Sequence, residues 1–200
     1  MSTTSSTTTT GSLDAHEAHR RLAELTVVDV RTPGEYASGH RPGAHHVPLD
    51  QLARALPALS AAAGRRELLV VCASGVRSAG AVATLAGHGI PAATLTGGTA
   101  AWSRLGHALE REAGARTVWA MERQVRLAAG TLVLAGLAAG RLRPAARLLS
   151  AGVAGGLVFS AVTDTCGMAR ALAFLPHNRG RTDAADALEA TLETLARHAG

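Results

Sequence analysis

The 200-residue sequence predicts an α/β fold: a parallel sheet with helices on both faces, followed by an α-helical transmembrane hairpin. Three observations predict it. Short β-branched runs are bounded by polar residues, helix-compatible stretches separate them, and two long uncharged stretches lie in the C-terminal half.

In chain order, Met1 to Gly11 is a polar, Ser/Thr-rich run with no basic start and no apolar stretch, which excludes a secretory signal and predicts a disordered tail (1–11). Asp14 followed by Glu17 is a capping-box pattern, and Leu22 and Leu25 lie at helical spacing, so a short helix opens the domain. Thr26 to Val30 and Glu67 to Val71 are compact apolar runs that predict buried strands, with weaker strands at His45 to Val47 and Ala92 to Leu95. Helices are predicted between them: Leu49 to Leu59 after Pro48, Ser78 to Ala86 ended by Gly87 and Gly89, and Gly98 to Leu105. Strands alternating with helices imply a parallel sheet covered on both sides, spanning residues 12–113.

Past Gly114, Leu127 to Gly140 and Leu148 to Thr163 are free of charge and flanked by arginines. A 14-residue run reaches about 21 Å as a helix, short of a bilayer core near 30 Å, so length alone leaves the first stretch open. Extension back through Val118 to Met121, with Arg123 and Arg126 snorkelling, lengthens it enough to span. The expected helices are about 120–140 and 147–165, within a segment 118–179. Each carries a small-residue motif, Gly136-Leu-Ala-Ala-Gly140 and Gly152-Val-Ala-Gly-Gly156, which permits close helix approach and which a Gly-rich composition also produces by chance. Arginines flanking the pair (Arg111, Arg116, Arg123, Arg126, Arg170, Arg179, Arg181) outnumber those of the connecting loop (Arg141, Arg143, Arg147), which orients the α/β domain towards the cytoplasm. Residues 180–200 predict a short exposed helical tail with Leu188, Leu192 and Leu195 on one side.

Every one of the 20 basic residues is arginine, a sign of coding bias before function. A net charge of +5 without a basic cluster interleaved with aromatics, which are 2% of the chain, argues against nucleic acid as a partner. The two cysteines, Cys72 and Cys166, form no disulfide framework and no paired-thiolate metal motif.

Cys72 follows a predicted buried strand and precedes a predicted helix, which sets its sulfur at a helix N-terminus, where unpaired amides favour an anion and therefore the reactive thiolate. Ala73, Ser74, Gly75 and Val76 are small enough for their N–H groups to curve round that sulfur, and Arg77 closes the ring with positive charge. Such a cradle stabilises a thiolate, an anionic donor and a charged persulfide. Strand-Cys-x4-Arg-helix therefore predicts a nucleophile at Cys72.

These residues resemble a single-domain rhodanese over most of Leu13 to Glu112. The resemblance rests on Asp29-Val30-Arg31, on Gly39-His40 and Pro42-Gly43-Ala44 before His46-Val47-Pro48, on Cys72 to Ser78, and on Leu95-x-Gly97-Gly98-x-x-Ala101-Trp102. Arg41 departs from the aliphatic residue usual in the second motif, with more consequence for packing than for chemistry. The resemblance implies thiosulfate sulfurtransferase activity, with thiosulfate or a persulfide as donor and cyanide or a thiol as acceptor, and no cofactor. It also implies supporting roles for Asp29, Arg31 and Ser78. Related phosphatases have a loop one residue longer, so the length here argues against phosphate chemistry. A carrier or sensor receiving a persulfide or nitrosothiol on Cys72, or export of thiocyanate or another sulfur product through the helices, are the competing functions.

Val118 to Arg179, with Met121-Glu-Arg-Gln-Val-Arg126 and Leu175-Pro-His-Asn-Arg179, resembles the two-helix segment of membrane-associated bacterial rhodaneses of the YgaP type. It implies attachment to the cell (inner) membrane and a homodimer through the helices. His40, His45 and His46 carry no ligand motif and predict packing and turn roles rather than a metal site. Trp102 predicts core packing. Cys166 is open between a sulfur relay and a small interfacial hydrophobe.

Overall fold

The computed structural model describes residues 11–163, 167–178 and 184–197. The chain divides into two units, Met1–Thr117 with Gly180–Gly200, and Val118–Arg179.

The first unit is built on five parallel strands in the order β1 (Gly11–Leu13), β5 (Ala92–Leu95), β4 (Glu67–Val71), β2 (Leu25–Asp29), β3 (His45–His46). The side-chain period of two splits the central strands cleanly. Val28, Leu68 and Val70 enter one core layer and Val27, Leu69 and Val71 the other. The first layer is closed by α3 (Leu52–Ala63), α4 (Val76–Gly87) and α9 (Ala184–Arg197); the second by α1 (Ala15–Arg20) and α5 (Gly98–Arg104). Trp102 of α5 is buried in that second layer and donates its indole N–H to the Ala108 carbonyl at 3.2 Å.

Several boundaries differ from the sequence reading. Gly11 is not tail: it pairs with Ala93 in β1, an edge strand whose Leu13 is buried in the second core layer, while the tail expected at residues 1–10 lies outside the described residues. The Asp14 side chain caps α1 by accepting from the Glu17 N–H at 2.8 Å, but Leu22 falls in a 3₁₀ turn and Leu25 starts β2, where the register with Glu67 outweighs helical spacing. The helix after Pro48 begins as a 3₁₀ turn, Leu49–Gln51, and continues as α3 beyond Leu59 to Ala63. A short helix, α2 (Pro33–Ser38), was not anticipated. Thr32 and Glu35 form a reciprocal capping box with Pro33 at the first position.

The C-terminal helix is not an exposed tail. Leu188 and Leu195 are buried at 6% and 2% exposure, and Leu192 packs beside them on the α3 side of the sheet. Arg54 pairs with Glu189, and Arg65 donates to the Leu195 carbonyl. The leucine stripe showed a face that needed cover, but spacing cannot name its partner.

The second unit is a helical hairpin, α6 (Met121–Ala139) and α7 (Arg147–Thr163), followed by α8 (Gly167–Ala173). At 1.5 Å per residue α6 and α7 reach about 28 and 26 Å, close to a bilayer core. The run Pro144–Thr163 has a mean hydropathy of 1.6 and is the single helical run among the described residues long and apolar enough to cross a membrane by itself. Leu127, Leu134, Leu148, Phe159 and Val162 of the pair are exposed, as side chains facing lipid are. Gly136 lets α7 approach closely: a Cβ there would meet the Ser150 Oγ at 2.4 Å, and Ser150 donates to the Val133 carbonyl at 2.9 Å. Gly152, Gly155 and Gly156, by contrast, face open space. Gln124 and Asn178 exchange two amide hydrogen bonds at 2.8 and 2.9 Å, tying the entry of this unit to its exit. Cys166 lies outside the described residues.

Candidate active site

Cys72 follows the last residue of β4 and is completely buried. Its sulfur accepts from the Gly75 N–H at 3.1 Å and the Ser78 N–H at 3.4 Å, with the Ser78 hydroxyl at 3.5 Å. The turn that brings these amides round requires Gly75 at φ +98, in the left-handed region that glycine alone adopts without strain. Gly75 also caps α4, so Val76 and Arg77 occupy its first turn rather than a free loop. Ala73 is buried, while Ser74 and Val76 are exposed and form the outer lip.

The loop rests on the start of α5. The Thr99 and Ala100 N–H groups donate to the Cys72 and Ala73 carbonyls at 2.8 and 3.1 Å. So close an approach is possible because Gly98 has no side chain: a Cβ there would lie 2.3 Å from the Cys72 carbonyl oxygen. The Gly97-Gly98 pair of the sequence motif is thus the floor of the cradle.

Arg77 differs from its expected geometry. Its guanidinium is paired with the Glu35 carboxylate through two hydrogen bonds of 2.7 and 2.8 Å, and Glu35 is 2% exposed. Its charge is therefore balanced, and the positive potential at the sulfur comes from oriented amides. The pair ties the Cys72 loop to α2, whose Glu35 also receives the Thr32 N–H at 3.0 Å.

Ser78 is buried, with its hydroxyl 2.6 Å from the Thr94 hydroxyl and 3.1 Å from the Gly75 carbonyl. When Thr94 donates to Ser78, the Ser78 proton is left for the sulfur or for that carbonyl. Thr94 escaped the sequence reading because a threonine in a strand looks like any β-branched residue.

Asp29 and Arg31 meet beneath this end of the sheet. The Arg31 Nε lies 3.0 and 3.1 Å from the two Asp29 oxygens, its Nη2 lies 2.6 Å from Oδ2, and Nη2 also donates to the Gly39 carbonyl at 2.9 Å. The His46 Nε2 donates to the Arg31 carbonyl at 2.9 Å, which makes Nε2 the protonated nitrogen. Burial lowers the His46 pKa, keeping the ring neutral. Tyr36 stacks between the His40 and His46 rings, at 3.8 and 4.3 Å, and its phenol is pushed up to about 12, first by burial and then by the Asp29 charge.

Two family models match the chain: the rhodanese-like domain over residues 14–105, and the transmembrane domain of YgaP-like inner membrane proteins over residues 119–182. An uncharacterized protein of the cyanobacterium Synechocystis is 33% identical over 162 residues, covering 80% of this chain and 88% of that relative. Among solved structures, a rhodanese-related protein from Thermoplasma volcanium is 29% identical, covering 50% of this chain and 98% of its own, with a TM-score of 0.47. The rhodanese-like domain of an Anabaena protein is 31% identical over 54% of this chain and 84% of its own, with a TM-score of 0.46.

Proposed function

This chain belongs to the rhodanese-like family, in the branch that joins such a domain to a YgaP-like transmembrane domain, and we propose that it is a membrane-anchored thiosulfate sulfurtransferase carrying its persulfide on Cys72. The observation that carries the reading is the amide cradle: the Gly75 and Ser78 N–H groups converge on one sulfur at the end of a buried strand. The Cys72 thiolate attacks the sulfane sulfur of thiosulfate, forming a sulfur–sulfur bond as the donor's own breaks and sulfite leaves with the electron pair. Cyanide or a thiolate then takes the outer sulfur and returns Cys72 as thiolate. The amides stabilise the anion in each state without reorganising. Incubation with thiosulfate should add one sulfur to Cys72 by mass spectrometry, with sulfite released in equal amount. Turnover surviving in Cys72→Ser would remove the assignment.

The complete burial of Cys72 favours a second reading, a slowly loaded persulfide or nitrosothiol carrier, because a donor reaches the sulfur only after the loop moves. Single modification without multiple turnovers in the presence of cyanide would select it.

We further propose that the α/β unit faces the cytoplasm and that the chain dimerises through α7. The arginine bias supports the orientation, as does the return of α9 to the same unit as the N-terminal strands, which requires an even number of crossings. A reporter fused after Gly200 should be active in the cytoplasm and silent in the periplasm. The open faces of Gly152, Gly155 and Gly156 support the dimer. Gly155→Leu should abolish cross-linking between chains in bilayers, whereas equal cross-linking would exclude this face.

A further inference from the structure

At the opposite end of the sheet from Cys72 lies a cavity of about 510 Å³. It exists because β3 is only two residues long. It pairs with Val28 and Asp29 and leaves the first three residues of β2, Leu25 to Val27, paired with β4 alone and open on the β3 side. The walls include Leu25, Val27, Ala62 and, from α9, Leu195. Into this apolar hollow face three arginines, Arg41, Arg65 and Arg66, and no described carboxylate lines it.

Arg41 is the residue that breaks the aliphatic pattern of its motif. It opens a turn closed by the Ala44 N–H on its carbonyl at 3.1 Å, and its guanidinium folds back over Gly43. It is half-buried, and neither its guanidinium nor that of Arg66 has a hydrogen-bond or ion-pair partner among the described residues. Desolvation lowers the Arg41 pKa, the mark of a cation left without its counter-charge. Arg65 and Arg66 are exposed at the rim, and Arg65 donates to the neutral carbonyls of Ala61, at 2.6 Å, and Leu195, so no described carboxylate pairs with it. Guanidinium groups against apolar walls are costly unless an anion completes them.

We propose that this cavity binds an amphiphilic anion, with a phosphate or carboxylate head held by Arg41, Arg65 and Arg66 and an apolar body against Leu25, Ala62 and Leu195. The volume falls within the range of small-molecule sites, and a forked guanidinium suits both head groups. The ligand is either the head and glycerol region of an acidic lipid or a soluble metabolite of the same chemistry. Because Leu195 supplies one wall, occupancy tightens α9 on the domain.

The full chain in a nonionic detergent is titrated with dihexanoyl phosphatidic acid below its micelle concentration. Inorganic phosphate and dihexanoyl phosphatidylcholine are the comparisons. The expected result is saturable binding of phosphatidic acid with slower amide exchange in α9, and about tenfold weaker binding of both comparison compounds. Arg41→Leu and the exposed variant Arg66→Gln should each weaken binding by about tenfold while thiosulfate turnover is unchanged. Unaltered affinity in both variants, equal binding of phosphatidylcholine, equal binding of inorganic phosphate, or unchanged α9 exchange would each overturn the proposal. Protection of α9 in phosphatidylglycerol vesicles but not phosphatidylcholine vesicles supports the site with a lipid as its source. Protection by the soluble probe alone supports it with a metabolite.

Discussion

Glu35 and Arg77, 42 residues apart, meet as a two-pronged ion pair that fastens α2 to the first turn of α4. The pair holds the arginine of the Cys-x4-Arg loop away from solvent and fixes the direction in which the loop amides point. Removing one partner from so enclosed a pair leaves the other charged and unsatisfied.

Glu35→Gln should therefore destabilise the domain by about 2–3 kcal/mol, somewhat below a fully buried pair because the Arg77 side chain keeps 16% exposure. Denaturant unfolding of the detergent-solubilised chain, followed by Trp102 fluorescence in a Trp119→Phe background, measures it. A change within experimental error would show that the loop does not depend on this clamp.

Gly98→Ala should lower sulfurtransferase activity by about tenfold or more and cost about 3 kcal/mol, since the new Cβ collides with the Cys72 carbonyl oxygen at a left-handed backbone position. Gly87→Ala, at the end of α4 where a Cβ meets nothing within 4 Å, should leave activity intact and be neutral or slightly stabilising. Rates and unfolding midpoints of the two variants provide the comparison.

Thr94→Val removes the hydroxyl 2.6 Å from Ser78. Without that incoming hydrogen bond the Ser78 hydroxyl is less polarised and a weaker donor to the sulfur, so alkylation of Cys72 by iodoacetamide at neutral pH should slow by about threefold. Thr94→Ser should restore the rate. Equal rates in Thr94→Val would exclude the hydroxyl chain.

The neutral, half-buried His46 makes stability depend on pH. Its pKa in the folded protein lies below the ordinary value of 6.5, so the unfolded chain binds this proton first and stability is lost as pH falls through 6.5 towards the folded value. The unfolding midpoint should drop on acidification from about pH 7.5 to 5.5, and His46→Gln should flatten that drop.

The sequence carried the strand-loop-helix around Cys72 in full because its residues are contiguous, and a buried run ending in a cysteine with small residues after it has few alternatives. The pairing of Glu35 with Arg77 was not legible, since nothing local tells a glutamate which of twenty arginines it will meet. The helix of Glu35 was legible in Thr32-Pro-Gly-Glu35 and was passed over. β1 was hidden because it is only three residues long and a single apolar residue, Leu13, marks its buried side. Leu188, Leu192 and Leu195 announced an apolar face, and only the tertiary structure supplies α3 as what it covers.

That docking of α9 has a consequence for how the protein is made. The α/β unit is interrupted in sequence by the whole of Val118–Arg179, and one of its core leucines, Leu195, lies beyond that interruption. Translation delivers the N-terminal strands first, then the hairpin, and the closing helix after it. The core is thus completed only after the hairpin segment has been made, so the α/β unit cannot finish folding before the transmembrane domain exists.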